Sequence, residues 1–465
     1  MFVRKGVRKA RGVAGLYAQW VGMADGQTDK RRNAERLTQR LSQNSGDDGG
    51  NAGSGGGGRV VFGYPSFVRY LGARLLSVLA LQMQSVAVGW QIYEITRSPL
   101  ALGLTGLAQF LPGILLFLIS GHAADRIPRR KLMVACFAGF TVCSGSLLWI
   151  SRGRVHSAGP IYVILVALGI TRAFSGPAMR ALVPLLVPAE HFPSGVAWEA
   201  SMTQTATVLG PAAGGFLYAL FRGPGIVYAT AMVIEAVAIV FAMGIQARGP
   251  LRPPESMTLG SVLAGLRYIW RQKVILGVVS LDLFAVLLGG AVALLPVYAS
   301  DILRTGPWGL GLLRSAPGAG AVAMAILLAH KPLRRKAGAT MLWCVAGFGA
   351  FTVVFGLSRH FALSLASLLF VGATDMVSVV TRGTLVQLST PDEVRGRVNA
   401  VEMMFIGASN ELGQFESGIT ADWFGTVPAV VLGGAGALLI TALWAWRFPE
   451  LRKAKPPRTV EMAER

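Results

Sequence analysis

Between Pro65 and Trp446 the chain alternates long apolar runs with short polar stretches, and about twelve such runs can be laid down. Their first residues fall near Ser66, Leu100, Lys131, Gly159, His191, Ile226, Val274, Gly306, Ala339, Phe361, Arg397 and Val427. A hydrocarbon layer about 30 Å thick is crossed by roughly 20 apolar residues of helix, and the runs have that length. They are continuous and rich in Leu, Ala and Gly, whereas a membrane barrel would show alternating segments of roughly ten residues. The pattern predicts an all-α polytopic membrane protein. A soluble helical repeat would need a polar face on most helices, and these runs lack one.

Composition sharpens that reading. Of 465 residues 53% are hydrophobic and 14% charged, and the net charge is +21. The positive charge is concentrated in alternate loops. One set holds Arg126, Arg129, Arg130 and Lys131, then Arg180, then Arg248, Arg252, Arg267, Arg271 and Lys273, then Lys331, Arg334, Arg335 and Lys336, then Arg395 and Arg397. The other set holds little beyond Arg97, Arg152, Arg154, Arg222, Arg304 and Arg359. By the positive-inside rule the basic loops are expected on the cytoplasmic side, which for an even number of spans puts both termini there. The charge is thus largely topological. No aromatic-interleaved basic domain supports a nucleic-acid partner.

Residues 1–64 read as a basic, disordered cytoplasmic tail ending in "NSGDDGGNAGSGGGG", a flexible linker by composition. Gln19 interrupts the short apolar stretch that would otherwise resemble a signal peptide. Residues 449–465 read as a second solvated tail. Cys136, Cys143 and Cys344 lie in apolar runs without paired spacing, the five histidines sit at loops or span ends, and no phosphate-loop sequence occurs. No metal, cofactor or enzymatic chemistry is expected.

The chain also resembles itself. Shifted by about 203 positions, Leu182, Val183, Pro188, Glu190, Ala197 and Glu199 meet Leu385, Val386, Pro391, Glu393, Ala400 and Glu402. "SPLALGL" from Ser98 pairs with "GPWGLGL" from Gly306 at a slightly different offset, and "RRK" at Arg129 recurs at Arg334. These matches divide the chain into an N-terminal half over 65–246, a connector over 247–273 and a C-terminal half over 274–448, as in transporters with parallel repeats. In "GHAADRIPRRKLM", Gly121, Asp125, Arg126, Arg129, Arg130 and Lys131 match the loop signature G-x-x-x-D-R-x-G-R-[RK]-[RK]. On these residues the chain resembles the major facilitator superfamily, and "PLLVPAEHFPSGVAW" and "TPDEVRGRVNAV" look like its enterobactin-exporter and macrolide-efflux branch. Pro128 stands where that signature has glycine. The resemblance implies two pseudo-symmetric six-helix bundles and no covalent chemistry.

It also implies roles. Gly121, Asp125, Arg126, Arg129 and Arg130 would form a conformational latch in which Asp125 bonds across to Arg395 or Arg397, or sits at the N-terminus of the eleventh span. "LGPAAGG", with Gly210, Pro211, Gly214 and Gly215, matches an antiporter-type helix motif in which small residues admit a neighbouring helix. The residues themselves suggest further sites, because ionisable groups inside spans are costly. Asp282, Glu199 and Glu402 are candidate proton-coupling groups, alongside the intramembrane Glu235, Asp375, Glu411 and Glu416. Arg74 is a candidate partner for Asp282, while Arg180, Arg395 and Arg397 are candidate partners for Glu199 and Glu402. Gln82, Gln84, Arg74 and Arg314 are candidate substrate contacts, and Arg314 favours an anionic group.

The expected function is secondary active efflux of a small organic molecule such as a drug or siderophore, exchanged for protons by alternating access in the bacterial inner membrane. A monomer suffices for that mechanism. An importer or lipid flippase of the same fold, or a transport-inactive receptor or scaffold, are the alternatives.

Overall fold

The computed structural model of the chain describes residues 60–153, 157–246, 259–330 and 337–453, and among them every regular element is helical. Nearly all of the expected N-terminal tail, residues 247–258 of the connector, the "RRK" at Arg334 and most of the closing tail lie outside the described residues. Twelve helices of 16 to 33 residues carry the fold: α1 (Pro65–Thr96), α2 (Pro99–Leu115), α4 (Arg129–Arg152), α5 (Gly159–Leu186), α6 (Phe192–Phe221), α7 (Gly225–Met243), α9 (Lys273–Leu288), α10 (Gly306–His330), α11 (Ala337–Leu357), α12 (Phe361–Ser389), α13 (Asp392–Phe424) and α14 (Thr426–Arg447). Shorter helices α3 (Phe117–Arg126), α8 (Leu259–Arg271) and α15 (Pro449–Lys453) flank them.

Among the described residues, nine spans are long and apolar enough to cross a membrane by length and composition alone. One of them, Lys273–Ile302, joins α9 to its continuation through a 3₁₀ turn (Ala291–Leu294) and a π turn (Tyr298–Ile302). α2 is apolar but short at 17 residues, and α6 and α13 carry the polar side chains described below. Helix starts follow local chemistry. The Ser98 hydroxyl caps α2 by accepting from the Ala101 amide at 3.3 Å, with Pro99 in the first turn. α13 begins at Asp392, five residues before the expected Arg397, because Pro391 occupies its N-cap and the charged residues after it are helical. Pro128, the departure from the loop signature, stands at the N-cap of α4, and Ile127 before it is extended, as a residue preceding proline prefers.

Two groups of helices emerge from the packing. In the first, α1 packs on α6 and α7, α4 on α5 and α7, and α2 on α5. In the second, α9 packs on α13 and α14, α12 on α10 and α11, and α11 on α14. The groups meet through α6 against α10 and α2 against α13. Exposed tryptophans ring both ends, with Trp149, Trp308 and Trp423 at one and Trp270, Trp343 and Trp446 at the other, the distribution that membrane interfaces favour.

The contact between groups is tightest near the α1–α2 turn. A methyl added at Gly311 would come within 2.6 Å of the Pro211 carbonyl, and one at Gly418 within 2.8 Å of the Gly103 Cα. Polar bonds close the same end. The Tyr93 hydroxyl donates to Asp301 Oδ2 at 2.6 Å, and Arg97 lies 3.6 Å from Asp301 Oδ1 and donates to Ser300 Oγ at 3.3 Å. At the opposite end, Arg69 donates to the Gly244 carbonyl and Tyr268 to the Ser389 carbonyl, each within its own group.

Gly311→Ala is therefore expected to lower the stability of this conformation by about 1–3 kcal/mol through overpacking. Gly113→Ala, where an added methyl meets nothing within 4 Å, should be neutral. Thermal unfolding of the two variants in detergent, run side by side, checks the difference.

Candidate functional site

Charged groups inside a bilayer must be paired or face water, since even on insertion scales one costs about 2.5–3.5 kcal/mol at midplane. Three clusters meet that requirement. In the first group, Glu199 on α6 accepts from the Tyr70 hydroxyl at 2.8 Å and lies 3.9 Å from Arg74 Nε. Arg74 Nη1 also reaches Met179 Sδ on α5 at 3.0 Å.

In the second group, Arg382 of α12 is held between two carboxylates. Its Nη1 pairs with Asp282 of α9, and its Nε lies 3.1 Å from Glu402 of α13. Arg382 and Asp282 are buried and Glu402 is half-buried, the arginine side chain being 5% exposed. Asp282 thus pairs with Arg382 and not with the expected Arg74, because α9 packs among α12, α13 and α14 while α1 stays with α6 and α7. Likewise Glu199 and Glu402 are held by Arg74 and Arg382, and not by Arg180, Arg395 or Arg397, which lie toward the exposed helix ends.

These two clusters occupy matching repeat positions. Arg74 and Asp282 each lie nine residues after the first residue of their helices, Pro65 and Lys273. The register that aligns Leu182 with Leu385 also aligns Met179 with Arg382 and Glu199 with Glu402. Each cluster keeps its glutamate, while the cation sits on the first helix of one repeat and on the fourth helix of the other.

The third cluster lies at the seam. Arg172 of α5 is exposed although it stands halfway along its helix, and its Nη1 donates to Gln109 Oε1 of α2 at 3.1 Å. Glu411 of α13 lies within electrostatic reach of both Arg172 and Arg314 of α10. It accepts from Gln414 Nε2 at 2.9 Å and rests against Gly106, where an added methyl would meet its Oε2 at 3.2 Å. Both helix groups contribute, and the two cations outnumber the one carboxylate. Guanidinium and amide groups that are exposed or only half-buried suit an anionic or multiply hydrogen-bonding ligand.

Other expected residues fall elsewhere. Gln84 is 2% exposed and accepts from the Ser144 hydroxyl of α4 at 2.6 Å, so it is committed to helix packing and does not face a ligand. Gln82 is half-buried beneath Gly210, where an added methyl would lie 2.6 Å from its Cβ. Gly214 similarly abuts the Met83 carbonyl, so Gly210 and Gly214 serve the α1 contact while Gly215 faces Pro307 and Gly311 of α10. Gly121 meets nothing within 4 Å, and the Asp125 side chain lies outside the described residues. Arg126 is exposed at the end of α3, and Arg129 opens α4. Arg130 donates to the Ile245 carbonyl of its own group at 3.3 Å, and Arg395 to Thr390 at 3.3 Å, while Arg397 is exposed on α13.

Removing the central cation of the buried triad is expected to be costly. Arg382→Met leaves Asp282 and Glu402 without it, a loss of roughly 3–5 kcal/mol for a broken buried pair. Adding Asp282→Asn and Glu402→Gln to Arg382→Met should recover much of the folded yield, as judged by the monodisperse fraction on size exclusion.

With this geometry in hand, comparison with known proteins is direct. The family model described as transmembrane secretion effector matches residues 64–461. The enterobactin exporter EntS of Citrobacter koseri is 25% identical over 406 residues, 85% of this chain and 95% of that protein. The enterobactin exporter EntS of Escherichia coli strain SMS-3-5 is 26% identical over 408 residues, with the same 85% and 95% coverage. Among solved structures, a D-xylose-proton symporter superposes with a TM-score of 0.64 at 14% identity, covering 84% of this chain and 100% of that one. An inward-facing, unoccupied bacterial homologue of the human lysosomal transporter Spinster gives a TM-score of 0.64 at 13% identity, covering 84% and 99%. These likenesses share the fold.

Proposed function

The chain belongs to the transmembrane secretion effector family of the major facilitator superfamily, and we propose that it exports a small anionic organic molecule of the siderophore kind by alternating access. It is a multi-pass membrane transporter and not an enzyme. The observation that carries the substrate class is the seam cluster of Arg172, Arg314, Glu411, Gln109 and Gln414, to which both helix groups contribute. The relatives that carry the name enterobactin exporter support a substrate of that class.

In this reading the chain works as a monomer in the bacterial inner membrane with its basic loops and both termini in the cytoplasm. The bonded end, with Tyr93, Arg97 and Asp301, is then the outer one, closed in this conformation. Rocking one group against the other breaks those bonds and closes the basic end, where Asp125 and its arginines serve as the latch. The exchanged ion is a proton. Asp282, Glu199 and Glu402 are its carriers if their arginines release them in the opposite state. A proton moving inward down 100 mV supplies about 2.3 kcal/mol before any pH gradient.

Efflux from cells loaded with a catecholate siderophore tests the reading. Arg172→Gln and Arg314→Gln are each expected to reduce export at least tenfold with the protein still folded and inserted, and Gln84→Ala should reduce it far less. Export of lipophilic cations instead, unaffected by either arginine change, would overturn it.

A further inference from the structure

A small cavity between α9, α11 and α12 lies away from the seam, lined in part by Asp282, Cys344, Phe348, Thr374, Asp375 and Ser378. Asp375, Ser378 and Arg382 stand at i, i+3 and i+7 on α12 and so share one face of the helix. Arg382 meets Asp282 of α9, which orients that face toward α9.

Charge around the cavity does not balance. Arg382 is already claimed by Asp282 and Glu402, so one guanidinium serves two carboxylates before Asp375 is counted. Among the described residues Asp375 forms no hydrogen bond or ion pair. Ser378 gives a second, independent sign. It lines this cavity, is 2% exposed, and its Oγ has no hydrogen-bond partner. A buried hydroxyl without a partner forfeits hydrogen-bonding free energy that a ligand would restore.

We propose that Asp375 and Ser378, with Asp282 across the cavity, form a binding site for a monovalent metal cation of the sodium class. Hard cations take oxygen ligands, and the cavity offers carboxylate and hydroxyl oxygens one helical turn apart, with water to complete the shell. Asp375 is the cavity-lining carboxylate with no arginine bonded to it, and a cation of single charge neutralises it while leaving the Asp282–Arg382–Glu402 bridge intact. This site goes beyond the export reading and stands or falls by ion binding alone.

The test uses the purified full-length protein in detergent, with thermal unfolding in sodium chloride against choline chloride at equal ionic strength. Sodium is expected to raise the melting temperature saturably, and radiolabelled sodium should bind at close to one ion per chain. Both effects should disappear in Asp375→Asn, weaken in Ser378→Ala and persist in Glu235→Gln, whose carboxylate lies elsewhere, bonded to Ser77. If Asp375→Asn fails to elute as folded protein, Ser378→Ala carries the comparison. Equal melting in the two salts, or a sodium effect that survives both cavity substitutions, would overturn the site. So would a stability that follows pH but not sodium and is lost in Asp375→Asn, since a proton would then be the ligand, with Asp282, Arg382, Glu402 and Cys344 the titratable or charged groups around it.

Discussion

Backbone-to-backbone contact between the two helix groups, made possible by paired glycines, is the constraint on which the arrangement depends. Lipid offers helices no hydrophobic reason to associate, so close van der Waals approach must supply the attraction. Gly215 against Gly311 and Gly103 against Gly418 bring α6 to α10 and α2 to α13 at separations no side chain would permit. These contacts lie near the Tyr93–Asp301 hydrogen bond, so steric fit and polar bonding act on one conformational state together.

Against that apolar seam the charged residues divide by purpose. The Arg74–Glu199 and Asp282–Arg382–Glu402 clusters sit inside single groups and join helices that stay together. Arg172, Arg314 and Glu411 come from both groups, so their mutual distances change whenever the groups rock. Electrostatic energy that depends on the relative position of the groups is what a bound anion can exploit. A ligand shifts such an equilibrium only through differential affinity for the two states.

Much of this was legible in the amino-acid order. Most helix starts fell within two residues of the apolar runs, because a membrane span needs length and apolarity more than any tertiary partner. The miss at α13 has a local cause, since its first two turns hold Asp392, Glu393, Arg395 and Arg397 and read as loop. Which charges meet was not legible, as those pairs join helices far apart in the chain. Arg382 carries a sequence signal of the same kind as the intramembrane carboxylates, since "SVVTRGTLV" sets an arginine equally deep in an apolar run. Arg172 in "LGITRAFSG" carried the same signal. Gln84 misled in the other direction, because an amide within a span reads alike whether it meets a ligand or a serine on the next helix.

The opposed polarity of the two intragroup clusters bears on ancestry and assembly. Halves that began alike have become electrostatic counterparts, with arginine at a position in one where the other has aspartate. A chimera built from two copies of the first half would repeat Arg74 and Met179 and lose the three-membered bridge altogether. Two copies of the second half would duplicate its surplus of acid. Neither tandem would reproduce the parent's electrostatics, so the chain has given up the symmetry that would allow a single six-helix unit to work as a homodimer.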